Sequence, residues 1–96
     1  MSTRDAYKKK LEAEIELAQA KLVELKARAK VSAADVRIKY EKSIDHLERM
    51  LDVTKTKLGE LGSSSEDAWG DLRSGVESAW ADFKTGLGDA AAKFRS

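Results

Sequence analysis

Apolar residues along the first sixty positions recur at a spacing of eleven. Leu25, Val36, Leu47 and Leu58 form one row, Tyr7, Ala18, Ala29, Tyr40 and Leu51 a second, and Leu11, Leu22, Ala33 and Ile44 a third. Eleven residues make three turns at about 3.67 residues per turn, so each row stays aligned along an α-helix. Heptad spacing also fits locally, in Leu11-Ala18-Leu25 and Ile44-Leu51-Leu58. From Thr3 to Leu61 there is no Pro and Gly only at Gly59, and the run is rich in the strongest helix formers. Charge pairs such as Glu24 to Arg28 and Asp45 to Arg49 run in the favourable order. The pattern predicts one long coiled-coil helix over residues 1–61, about 85 Å from end to end. Such a helix cannot bury its apolar stripe against itself, so it needs a partner.

Gly62-Ser63-Ser64-Ser65 then interrupts the pattern. Gly62 suits a left-handed C-terminal cap, and Ser63 with Glu66 has the spacing of a capping box. Acidic Glu66 and Asp67 belong in a first helical turn. Residues 62–65 are therefore expected to turn, and 66–96 to form a second amphipathic helix antiparallel to the first. That helix carries an internal repeat. Ala68-Trp69-Gly70-Asp71-Leu72-Arg73-Ser74-Gly75-Val76 is echoed eleven residues on by Ala79-Trp80-Ala81-Asp82-Phe83-Lys84-Thr85-Gly86-Leu87, and a partial third copy starts at Ala90. Trp69, Leu72, Val76, Trp80, Phe83, Leu87 and Phe94 fall on one face. Small residues beside them, Ala68, Gly75, Ala79, Gly86 and Ala90, leave room for a close neighbour. Each interior Gly costs about 1 kcal/mol against Ala, so the second helix is expected to depend on docking, with fraying past Gly86 an open alternative.

The fold expected is all-α: a long helix, a Gly/Ser turn and a shorter antiparallel helix in a coiled-coil or helical-bundle homo-oligomer with hendecad periodicity. The shorter helix would cover half of the longer one. Leu11, Ile15, Ala18, Leu22 and Leu25 would then lie bare on an overhang, a surface large enough to mark an interface. A dimer or tetramer of antiparallel helices buries it most simply. The candidate interface residues are Leu11, Ile15, Leu22, Leu25, Val36, Tyr40, Ile44, Leu47, Leu51, Leu58, Leu61, Trp69, Leu72, Val76, Trp80, Phe83 and Leu87.

Composition narrows the chemistry. The 96 residues include no Cys, which excludes disulfide scaffolds, Cys-based zinc sites and thiol nucleophiles. The single His46 follows Ser43 by three positions, so the Glu-x-x-His motif of metal-binding bundles fails. There is no P-loop, no G-x-G-x-x-G and no Gly-x-Ser-x-Gly elbow. No catalytic, cofactor-binding or metal-ligating residues are assigned, and no cofactor is expected. Charged residues make up 36% of the chain, and the net charge of +1 hides an asymmetry. Residues 1–42 hold eleven Lys/Arg against seven Asp/Glu, whereas residues 43–96 hold seven against ten. The basic residues, including Lys8-Lys9-Lys10, are interrupted by Glu12, Glu14 and Glu16 and scatter around the helix, so nucleic acid is not an expected partner. No apolar leader opens the chain and no run approaches 18 apolar residues, so a cytoplasmic location is expected.

The segment Ala68 to Trp80, after a charged helix opening Ser2-Thr3-Arg4-Asp5-Ala6-Tyr7, resembles a family of small bacterial coiled-coil proteins labelled "stress response", first named from a cyanobacterial member. The resemblance implies a cytosolic helical protein linked to stress. The function expected is that of a non-enzymatic structural or interaction protein whose first partner is itself. The alternative is reversible binding of a lipid surface or an exposed hydrophobe by the Trp-bearing helix. The six acids against four bases in residues 66–96 count against that, because surface-binding helices favour Lys and Arg.

Overall fold

A computed structural model of the chain describes residues 3–93. The described residues form three α-helices, α1 (Thr3–Lys30), α2 (Ala34–Gly62) and α3 (Glu66–Lys93), which run up, down and up as a bundle of 51 × 21 × 17 Å. α2 lies in the middle of the chain path and packs along both neighbours. Phe94 and the two residues after it, which end the third repeat, lie outside the described residues.

The single long helix expected over residues 1–61 is instead two helices, broken at Val31-Ser32-Ala33. The reason is burial. A second helix of 28 residues covers only half of so long a rod. A chain folded at residues 31–33 yields helices of 28, 29 and 28 residues, whose stripes cover one another except at the start of α2. The expected bare overhang does not form: Leu11, Ile15, Ala18, Leu22 and Leu25 are all buried within the chain. Charge placement favours the break, with Arg28 and Lys30 in the last turn of α1 and Asp35 in the first turn of α2. Ser32 and Asp35 also stand at capping-box spacing, the one local signal of a new helix. The Ser32 hydroxyl does not use it. It donates back to the Arg28 carbonyl at 3.1 Å, and Ala33 occupies the N-cap with φ −58° and ψ 149° and no side-chain cap.

The second turn falls where expected but is built differently. Gly62 ends α2 as a helical residue, no described glycine has a positive φ, and Ser63 is the C-cap. The serines make a left-handed glycine unnecessary. Ser63 Oγ donates to the Glu60 carbonyl at 3.3 Å and Ser64 Oγ to the Leu61 carbonyl at 2.8 Å, satisfying carbonyls that the helix end leaves open. Ser65, not Ser63, caps α3: its Oγ accepts the Ala68 N–H at 3.3 Å. α3 then continues without interruption through Gly86 and Gly88 to Lys93.

The core is one cluster drawn from all three helices. Leu25, Ile44, Leu61, Val76 and Phe83 have almost no exposed surface. Thr54 is the buried polar residue, and its hydroxyl is satisfied by the Met50 carbonyl at 2.9 Å, one turn back in the same helix. Gly86 faces α2 at close range, and a Cβ there would sit 2.9 Å from Leu47 Cδ2.

Candidate functional site

The candidate interface residues are mostly one another's partners. Leu11, Ile15, Leu22, Leu25, Ile44, Leu47, Leu51, Leu58, Leu61, Val76, Trp80 and Phe83 are buried within the chain, and Tyr40, Trp69, Leu72 and Leu87 pack half-buried against them. Val36 alone stands apart, exposed near the start of α2. Within the single chain these residues form a core among themselves.

The aromatic face of α3 turns inward. Trp80 is 8% exposed and stacks on Phe83 with ring centroids 5.4 Å apart and planes at 21°. Its indole N–H is buried with no acceptor, and Lys84 Nζ lies 5.8 Å from the ring. Trp69, its counterpart one repeat earlier, meets Tyr7 of α1 edge to face at 5.8 Å. The Arg4 guanidinium covers the Trp69 ring at 4.6 Å and donates to the Ser64 carbonyl at 2.6 Å. Arg73, one turn along α3, lies 4.9 Å over the Tyr7 ring and holds Glu77 at 2.9 Å. The Tyr7 hydroxyl donates to the same carboxylate at 3.4 Å. Burial and the Glu77 charge together push the Tyr7 phenol above its ordinary value. These contacts clasp the N-terminus of α1 to the start of α3. The lipid reading requires this face to leave the bundle.

Between α1 and α2 the main polar contact is Lys26 Nζ to Glu48 Oε1 at 2.9 Å, and this carboxylate raises the lysine's proton affinity. Other ion pairs among the described residues, such as Arg28 with Glu24 and Arg37 with Glu41, join residues one turn apart on a single helix and lie in solvent. His46 is exposed. Among the described residues no group of His, Cys, Asp or Glu is placed to hold a metal ion, and no helix is long and apolar enough to cross a membrane.

Large apolar side chains are exposed at Val31 in the first turn, at Val36, Ile38 and Val53 of α2, and at Leu17 and Val23 of α1, where they join a longer series. Ala6, Ala13, Leu17, Ala20 and Ala27 follow one another at heptad-like steps along the side of α1 opposite its buried stripe, and all are exposed. Leu17 is 74% exposed and Val23, on the flank of this seam, 67%. The eleven-residue rows mark the stronger inner stripe, whereas this second, weaker seam is mostly alanine, which signals helix without signalling a surface. No family model, no curated protein and no solved structure matches the chain. The resemblance to the stress-response family therefore rests on the Ala68-to-Trp80 segment and the Ser2-to-Tyr7 opening alone.

Proposed function

We propose that the protein is a non-enzymatic helical interaction module that associates with a second copy of itself through the outer seam of α1. The observation that supports this reading is the exposed Ala13, Leu17, Ala20, Ala27 series on a helix whose opposite face is already filled. Small residues at every second step let two helix backbones approach closely, with Leu17 as the knob. An antiparallel pair centred between Leu17 and Ala20 brings like flanks together and so places Glu14 of each copy near Lys21 of the other, so the flanking charges are complementary. The two-fold arrangement is self-complementary and closes. The link to stress rests on the family resemblance of the Trp repeat.

Light scattering behind size exclusion tests the reading with the full chain and with Leu17→Glu. The expected result is a discrete oligomer for the natural sequence and a smaller species for the variant, with unchanged helical circular dichroism because Leu17 has no part in the core. A natural chain that stays monomeric up to millimolar concentration, or an oligomer indifferent to Leu17→Glu, overturns it.

A further inference from the structure

The two turns of the bundle are closed to different degrees. The α2–α3 turn has serine hydroxyls on the open carbonyls of α2, a serine cap on α3, and Arg4 reaching across from α1. The α1–α2 turn has a serine on one open carbonyl of α1, Ser32 to Arg28, but no side-chain cap on α2 and no glycine or proline. Nothing at Val31-Ser32-Ala33 requires a bend, and rotation of these few backbone torsions into the helical region makes α1 and α2 continuous.

The phase of the apolar stripe survives that straightening. Ala29, Ala33, Val36, Tyr40 and Ile44 follow at steps of four, three, four and four, so a continuous helix carries the inner stripe of α1 into that of α2 on one face. A hairpin that only ever existed bent has no need to keep this phase across its turn. In the closed chain the middle of the stripe is uncovered: Ala33 and Val36 are exposed and Tyr40 is half-buried. The cause is a stagger. Lys26 stands against Glu48, so α1 stops short of the first turns of α2.

We infer that the α1–α2 turn is a hinge, and that two copies of this chain exchange α1 by opening it. Each α1 docks on the α2–α3 pair of the other copy and remakes every contact it makes in the closed chain. The register set by Lys26 and Glu48 places the two-fold axis of the exchanged pair beside residue 37. Ala33 of each straight helix then faces Tyr40 of the other, and the Val36 side chains meet near the axis. The exposed middle of the stripe is thereby covered by its own copy. This inference stands apart from the outer seam of α1, which exchange leaves free on the surface.

The test uses the absence of native cysteine. The full-length double variant Lys26→Cys with Glu48→Cys is refolded at micromolar and at millimolar concentration, joined with a short bis-maleimide, and run under denaturing conditions. A straight helix holds these positions about 33 Å apart within one chain, beyond the reach of the linker, so in the exchanged dimer the cross-link can form only between chains. The expected result is an intrachain cross-link at low concentration and an interchain one at high concentration. Adding Ala34→Pro should remove the interchain product and leave the intrachain one. Proline suits the first helical position of α2 after an extended Ala33, but breaks a continuous helix. Adding Leu17→Glu should change neither product, which separates exchange from association through the outer seam. An intrachain cross-link alone at both concentrations overturns the inference, as does an interchain product undiminished by Ala34→Pro.

Discussion

Leu47 Cδ2 lies 2.9 Å from the position that a Cβ on Gly86 would occupy, so the bare glycine backbone is what lets α3 settle on α2. Leu47 is itself buried and has little room to retreat. Gly70 and Gly88, in the same helix, have nothing within 4 Å of such an atom. Gly70→Ala and Gly88→Ala should therefore each stabilise the bundle by about 0.5–1 kcal/mol through helix propensity. In Gly86→Ala that gain is offset by overpacking of about 1–3 kcal/mol, giving no gain or a net loss. Urea midpoints of the three variants decide it, and an increase for Gly86→Ala equal to the others refutes the close-approach argument.

Phe83 is wholly buried at the centre of the cluster. Phe83→Ala should cost about 3–5 kcal/mol, since the lost apolar surface is compounded by a cavity. Thr54→Val at an equally buried position should be neutral or stabilising. The threonine hydroxyl bonds only a carbonyl of its own helix, and valine keeps the shape. Chemical unfolding measures both, and a large loss for Thr54→Val would reveal a role for the hydroxyl outside α2.

The Tyr7 phenol is raised in the folded state, first by burial and then by Glu77. A raised value means the folded chain holds the proton more tightly than the unfolded chain. The stabilisation is therefore complete below the unfolded value near pH 10 and is lost as pH rises through the folded value. Melting temperatures of the natural chain should fall faster than those of Tyr7→Phe above about pH 10, with the difference between the two isolating Tyr7 from the lysines that titrate in the same range. Parallel curves would remove the clasp at Glu77 from the account.

Ala33 is in the extended conformation that precedes a proline, and Ala34 is the first helical residue of α2, where the N–H has no intrahelical partner. Ala34→Pro should raise the stability of the closed bundle by about 0.4–1 kcal/mol by restricting the unfolded chain. Thermal unfolding at low concentration checks this, and destabilisation would show that the turn at residues 31–33 is not the one described.

Trp80 is stacked on Phe83 inside the bundle, and Trp69 is covered by Arg4 and Tyr7. Anionic vesicles should leave tryptophan emission unchanged while the bundle stays folded. A blue shift on addition of vesicles would mean that α3 leaves the bundle for the lipid.

The helical state, the second turn and the inner faces were legible because each has a local cause. Ala, Leu, Glu, Lys and Arg favour helix wherever the chain lies, the Gly62-to-Ser65 run stops it, and the Trp69/Trp80 repeat marks a face by its period alone. The same rows of eleven concealed the first turn, since Ala29, Ala33, Val36 and Tyr40 read as one unbroken stripe. The outer seam of Ala13, Leu17 and Ala20 was hidden for the opposite reason: alanine signals helix without signalling a surface.

From the order of its residues alone this protein is committed to helices with one apolar face each and to a turn after Gly62, because propensity and hydroxyl capping act over a few residues. Where the first sixty residues bend, and whether their stripe meets α3 or another chain, was decided only in three dimensions. Val31-Ser32-Ala33 is compatible with bend and rod alike. The bend wins in the single chain because three helices of nearly equal length leave the least apolar surface in water.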